Sequence, residues 1–228
     1  MFEKFKTQMI LLLCLSGTCL FFLGCTSSKL VIDTEITAEP SEAKVQFKGR
    51  EIGTTPLTLE INNVEELTKI TAQLPKSQVV ETRIRFLDQN RAVVIFHFGD
   101  EASPIAKALG LKNILVFDYS DHATFELDSF NLKPNLTPLL TRQAEVLNKY
   151  FASLPIYICG HTDETGSDEH NLKLSLKRAQ SVSDFLSSHH VSKDRLKIQG
   201  FGKNYPMASN STETGRATNR RTEIVLPQ

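Results

Sequence analysis

Gly160-His161-Thr162-Asp163, followed by Thr165-Gly166-Ser167 and then by Leu174-Ser175-Leu176-Lys177-Arg178, is the stretch whose reading decides this chain. Pro155 to Gly160 is a short apolar run that predicts a strand, and a helical pattern starts near Ser167. Leu172, Leu176, Ala179, Val182 and Leu186 recur at helical spacing and are expected to form the apolar stripe of that helix. Asp163 therefore stands fifteen positions before Arg178, across a strand-to-helix turn. A carboxylate and a guanidinium held at a fixed separation suit a zwitterion, because one takes an ammonium while the other grips a carboxylate bidentately. With the helix starting near Ser167, Arg178 lies eleven residues along it, about 16 Å at ~1.5 Å per residue. The loop after Asp163 must then double back, which Gly166 permits.

Working outward, Ala123 to Leu127 reads as a strand and Leu136 to Tyr150 as a helix with Leu136, Leu140, Ala144 and Leu147 on one face. Arg195 to Phe201 and Thr222 to Leu226 read as two more strands. The order β-α-β-α-β-β implies an α/β sandwich, helices packed on a mixed sheet, over residues 122–228. Upstream, residues 99–121 form a connector. In it Ser103, Pro104 and Gly110 supply the start and stop of a short helix, and Ile114 to Phe117 is a buried strand candidate.

Further motifs agree in order and spacing with this arrangement. Phe125-Glu126-Leu127-Asp128-Ser129, Gly160 to Asp163 with Gly166, Asn171, Ser175, Arg178-Ala179, Gly200-Phe201-Gly202 and Gly215 to Arg221 together resemble the OmpA-like peptidoglycan-binding domain. The resemblance spans Thr124 to Leu226 and implies a non-catalytic clamp for the diaminopimelate of a peptidoglycan stem peptide. It carries the acidic ligand onto Asp163 and the basic one onto Arg178. Thr162 lies beside them, Asn171 orients the loop or touches ligand, and Phe125 and Asp128 fall on the strand edge that meets the ligand backbone. Arg216, Asn219 and Arg220 form either a ligand rim or a structural network, and the structural network is the favoured reading. Two departures from the family pattern stand out. His170 occupies a place where Tyr is usual, and His189-His190 replaces the frequent Gly at the helix end.

Residues 31–98 are strand-like throughout: Ala43, Val45 and Phe47 alternate, Lys48-Gly49 turns, and Thr82, Ile84 and Phe86 alternate with Arg83 and Arg85. Asp88-Gln89-Asn90 then turns into Ala92 to Phe96. This predicts a small antiparallel β-module. Its Gly53-Thr54-Thr55-Pro56 corner resembles the PEGA domain, with Pro56 unable to donate to a ladder.

The first residues set the compartment. Lys4 and Lys6 precede an uncharged run from Met9 to Leu23, too short to span but suited to a signal peptide. Phe22-Leu23-Gly24-Cys25 resembles a bacterial lipobox, so residues 1–24 are expected to be removed, Cys25 acylated, and residues 25–30 to act as a tether. Thr26 after Cys25 implies delivery to the outer membrane, facing the periplasm. Of the four cysteines only Cys159 then stays as a thiol, inside an apolar run. Loss of Lys4, Lys6 and Glu3 leaves 24 basic against 25 acidic residues, a balance that makes no electrostatic case for nucleic acid. No motif asks for a cofactor. A metal-dependent hydrolase built on His161, Asp163 and His170 lacks any known ligand spacing. A third reading makes the β-module an adhesion or protein-interaction unit anchored by the C-terminal domain.

Overall fold

The computed structural model describes residues 31–120, 124–125 and 129–228. The expected leader and Cys25, Asp128, and most of the strand expected at 123–127 lie outside the described residues.

The strands are β1 (Ile32–Glu39), β2 (Lys44–Phe47), β3 (Arg50–Thr54), β4 (Leu57–Ile61), β5 (Ile70–Gln73), β6 (Gln78–Phe86), β7 (Arg91–Gly99), β8 (Ile114–Ser120), β9 (Ile156–His161), β10 (Leu196–Gly200) and β11 (Arg221–Pro227). The helices are α1 (Val64–Leu67), α2 (Pro104–Leu109), α3 (Thr137–Tyr150), α4 (Asp168–Ser188) and α5 (Glu213–Asn219). Eight strands form one mixed sheet in the order β10-β9-β11-β8-β6-β7-β1-β4, and β3-β2-β5 form a separate three-stranded antiparallel sheet.

Several local expectations are met with their stated chemistry. Ser103 accepts from Ala106 N–H at the start of α2, Pro104 opens the helix, and Gly110 closes it at φ 69°. Ser167 caps α4, accepting from His170 N–H. Lys48 and Gly49 both take positive φ in the β2–β3 turn. Cys159 is a buried free thiol. Short α5 was not expected; Thr212 caps it by accepting from Gly215 N–H.

The N-terminal strands do not make a small antiparallel module of their own. β1 pairs parallel with β7, and β6 pairs parallel with β8, with Ile84 opposite Phe117. The large sheet thus runs unbroken across the limits expected at residues 98 and 121. The first strand of the C-terminal α/β unit is β8, inside the expected connector, lying between β11 and β6. Of residues 123–127 only Thr124 and Phe125 are described, and Phe125 makes an isolated bridge to Leu132.

One apolar core underlies both halves, joining Ile36 and Phe96 to Phe117, Leu139 and Leu186. Phe86 stacks on Tyr119 at 5.1 Å across the β6–β8 seam. On the other face α2 drops Ile105 and Ala106 onto Val116, Cys159 and Val225.

Arg83 and Arg85 also depart from the expected polar face of a half-buried strand. Arg83 is 2% exposed. Its Nε donates to Glu81 at 2.7 Å, and its Nη1 to Glu223 at 2.7 Å and Asp118 at 3.2 Å. Arg85 Nε donates to Asp118 at 2.8 Å, and Arg221 Nε to Glu223 at 2.8 Å. Burial alone would lift Glu223, but Arg83 and Arg221 outweigh it and hold the carboxyl well below the usual range. Burial works against charge on Arg83 as well, and Glu223, Glu81 and Asp118 overcome it.

The helix end carries a testable local cost. His190 follows α4 in the left-handed region at φ 68° with its side chain exposed. An L-residue there costs about 1–2 kcal/mol, while glycine costs about 0.4–1 kcal/mol through the unfolded chain. His190→Gly is therefore expected to stabilise the fold by about 0.5–1 kcal/mol, measured by urea unfolding.

Candidate functional site

Ser120, Arg221 and His161 stand in register at one end of the sheet. Every described residue expected at the ligand site lies beyond that end or on α4 beside it. Gly160 and Gly200 set the approach of α4. A Cβ on Gly160 would sit 2.0 Å from Ser175 O, and one on Gly200 2.8 Å from Leu176 N, so helix and strands are closer than any side chain allows. This proximity overturns part of the expected apolar stripe. Ser175, Ala179, Val182 and Leu186 face the sheet, whereas Leu172 and Leu176 are 50% and 48% exposed. Leucines have no room where backbone meets backbone, so small and polar residues fill the buried face of the first turns instead.

After β9 the chain turns with Thr162 and Asp163 both buried. Thr162 N–H donates to Gly202 O at 2.9 Å, and its hydroxyl to Asp163 O at 3.0 Å. Gly166 at φ 91° makes the expected reversal. Asn171, buried on the first turn of α4, donates its amide to Thr165 O at 3.0 Å and Asp163 O at 3.5 Å. Its hydrogen bonds therefore hold the loop. His170 is exposed on the same turn, beside Gly166.

The Asp163 carboxylate accepts from Thr165 N–H at 2.8 Å and from Arg220 Nη1 at 2.6 Å. Burial would raise its pKa; the Arg220 and Thr165 hydrogen bonds more than offset this, leaving it below the ordinary aspartate value and ionised at neutral pH. Arg220 also donates to Glu213 at 2.7 Å, so it keeps a second carboxylate partner. With two lone pairs per oxygen, Asp163 retains accepting capacity for a further cation.

Arg178 is 3% exposed. Its Nε donates to Ser129 O at 2.9 Å, and its guanidinium lies 5.2 Å over the Phe125 ring. Arg178 and Asn171 are seven residues apart on α4, two turns or about 10 Å. Helical side chains lean toward the N-terminus, so Arg178 leans toward the Asp163 loop. The structure thus gathers Asp163, Thr162 and Asn171 at one end of this helix face, and Arg178 with Phe125 at the other.

Arg220, favoured from sequence as part of a structural network rather than a ligand rim, stands against the Asp163 carboxylate in the structure. Only its position in the 215–221 motif could have signalled this. Its neighbours are structural: Asn219 binds Met207 N–H, Ala208 N–H and Ala208 O, and Arg216 binds Glu213 and Asn210 O. His161 is buried, stacked on Phe201 at 5.4 Å, with Nε2 3.4 Å from Glu223. Burial and Arg221 push its pKa down, so it is neutral at pH 7. Among the described residues no group of three His, Cys, Asp or Glu is placed to hold a metal.

The profile of the OmpA family matches residues 124–220, and the C-terminal half of the chain carries an OmpA-like domain. The probable lipoprotein YiaD of Escherichia coli K12 is 39% identical over 112 residues, 49% of this chain and 51% of that protein. The peptidoglycan-binding protein ArfA of Mycobacterium tuberculosis H37Rv is 41% identical over 102 residues, 45% of this chain and 31% of that protein. The chain spans about half or less of the length of these relatives. The peptidoglycan-associated lipoprotein of Burkholderia pseudomallei is a similar solved structure, 35% identical with a TM-score of 0.42, covering 45% of this chain and 86% of that one.

Proposed function

We propose that this chain is an outer-membrane lipoprotein that binds peptidoglycan without catalysis and ties the envelope to the wall. Cys25 carries the lipid after removal of residues 1–24, and the OmpA-like domain faces the periplasm. The ligand is the diaminopimelate of a stem peptide: its distal ammonium meets Asp163, and the carboxylate on the same carbon meets Arg178. The observation that carries this reading is the state of Asp163, ionised and anchored by Arg220 and Thr165 beside a helix that presents Arg178 two turns away. Similarity to proteins named for lipidation and for peptidoglycan binding supports it. Asn171 and Thr162 hold the loop, and Phe125 supports the Arg178 guanidinium. Asp128 contributes at the edge that meets the ligand backbone.

The PEGA-like resemblance of residues 31–98 is kept in this proposal for a segment built into the large sheet rather than a module of its own. The Thr55 corner is closed by reciprocal bonds, Thr55 N–H to Ala43 O at 2.9 Å and Ala43 N–H to Thr55 Oγ1 at 3.0 Å. An adhesion role for this segment stays secondary. Co-sedimentation of the purified chain with sacculi, with free diaminopimelate as competitor, tests the proposal. The expected result is pelleting that diaminopimelate reverses; pelleting indifferent to it would overturn the ligand assignment.

A further inference from the structure

The β6–β7 turn lies at the same end of the sheet as the site, because Phe86 pairs with Tyr119 just as Arg221 pairs with Ser120 and His161. At ~4.8 Å per strand the row from β9 through β11 and β8 to β6 spans about 14 Å. Between that turn and the 3-10 turn Pro134–Leu136 lies a cleft of about 630 Å³. Its walls come from both halves of the chain: Leu87, Asp88 and Gln89 on one side, Ser120, Asn135 and Leu136 on the other.

This cleft is wired to the Arg178 end of the site. Lys133 N–H donates to Thr124 O at 2.8 Å, and the Thr124 hydroxyl to Ser120 O at 2.7 Å. Phe125, the next residue, bridges to Leu132 and lies under the Arg178 guanidinium. A ligand running past Arg178 away from Asp163 therefore meets the cleft. Its chemistry is mixed and close to charge-balanced, with Asp33 and Asp88 near Arg91. Asp88 is spent on Asn90 N–H and Arg91 Nε. The Gln89 and Asn135 side chains are exposed and make no hydrogen bond to a described residue. Leu87 is 44% exposed and offers an apolar surface beside them. Amides next to a small apolar platform suit an uncharged polymer that carries hydroxyls, acetamides and C–H faces.

We infer that this cleft is a second peptidoglycan subsite, which holds the sugar strand while the Asp163–Arg178 site holds the stem peptide. The inference rests on the proposed diaminopimelate clamp. Two stem residues separate diaminopimelate from the sugar, about 7 Å of extended chain, compatible with a cleft that adjoins the Arg178 end. It gives the N-terminal strands a role in binding, since they supply half of the cleft.

The test uses the full chain and three probes: a diaminopimelate stem peptide without sugar, the same peptide on its disaccharide, and glycan strands stripped of peptide by amidase. Wild type is expected to bind the disaccharide-peptide about tenfold more tightly than the bare peptide, the equivalent of one or two added hydrogen bonds. The Leu87→Ser, Gln89→Ala, Asn135→Ala triple variant should lose that advantage while holding bare peptide as before. Equal affinity of wild type for the two peptides, or an advantage that survives in the triple variant, overturns the subsite. Stripped strands that bind while the bare peptide does not would uphold the subsite and reject the clamp. Binding of neither peptide and no stripped strands would reject both.

Discussion

Asp163→Ala and Arg178→Ala are each expected to weaken binding to sacculi by about 10- to 100-fold while leaving a folded protein. A charge-assisted hydrogen bond contributes about 1.5–3 kcal/mol, and about 1.4 kcal/mol is tenfold in affinity. Removing one group also strands the opposite charge of the zwitterion. The fold should survive both changes for local reasons. Without Asp163, Arg220 keeps Glu213; without Arg178, the bond to Ser129 O and the contact with Phe125 are among those lost, while Ala179, Val182 and Leu186 still pack α4 on the core. Two conservative variants sharpen the outcome. Asp163→Asn keeps an acceptor for Thr165 N–H but not the charge, and Arg178→Lys keeps the charge but not the fork. Both are expected to bind poorly. Full pelleting by well-folded alanine variants would remove the clamp from consideration.

The second large effect is on stability. Arg83→Met is expected to cost about 3–5 kcal/mol at pH 7, because it leaves Glu81, Asp118 and Glu223 buried around a missing cation. Two arginines remain, Arg85 on Asp118 and Arg221 on Glu223, so the loss is partial rather than total. The pH dependence carries a sign. Glu223 is depressed in the folded state, so its contribution is present above the ordinary carboxylate range and is lost as pH falls through the depressed value. Once Glu223 is protonated Arg83 has less to neutralise, and the two proteins should converge in acid. Urea unfolding at neutral and acidic pH measures both points. A constant gap across pH, or a loss below about 1 kcal/mol, would mean that the network is not held by charge.

This network also makes the two halves one cooperative unit. Arg83 and Arg85 lie on β6, while Asp118 and Glu223 lie on β8 and β11. A fragment beginning at residue 122 would lose β8 itself and expose the edge of β11. The expected boundary at 121 followed the motif, and the motif does not contain the strand that completes its sheet.

Much of the site was nevertheless legible. The Asp163 loop, its reversal at Gly166, the cap at Ser167 and the path of α4 to Arg178 all follow from local chemistry written within twenty residues. Leu172 and Leu176 misled because periodicity counts apolar residues and cannot see two glycines upstream and downstream that bring the helix into backbone contact. Arg83 and Arg85 misled in the opposite way. An arginine alternating with apolar residues reads as solvent-facing unless its partners, up to 140 positions away, are known.

By itself, then, the sequence determined what local steric and hydrogen-bonding rules can determine: the caps, the turns, the strand and helix periods, and the carboxylate and guanidinium on either side of a reversal. Only the tertiary structure decided that Arg220 braces Asp163, that β6 lies beside β8, and that three carboxylates and three arginines can share one sheet face. Those outcomes depend on pairings between distant segments. There buried charges meet at 2.7 Å, an interaction that exists only once the chain has folded.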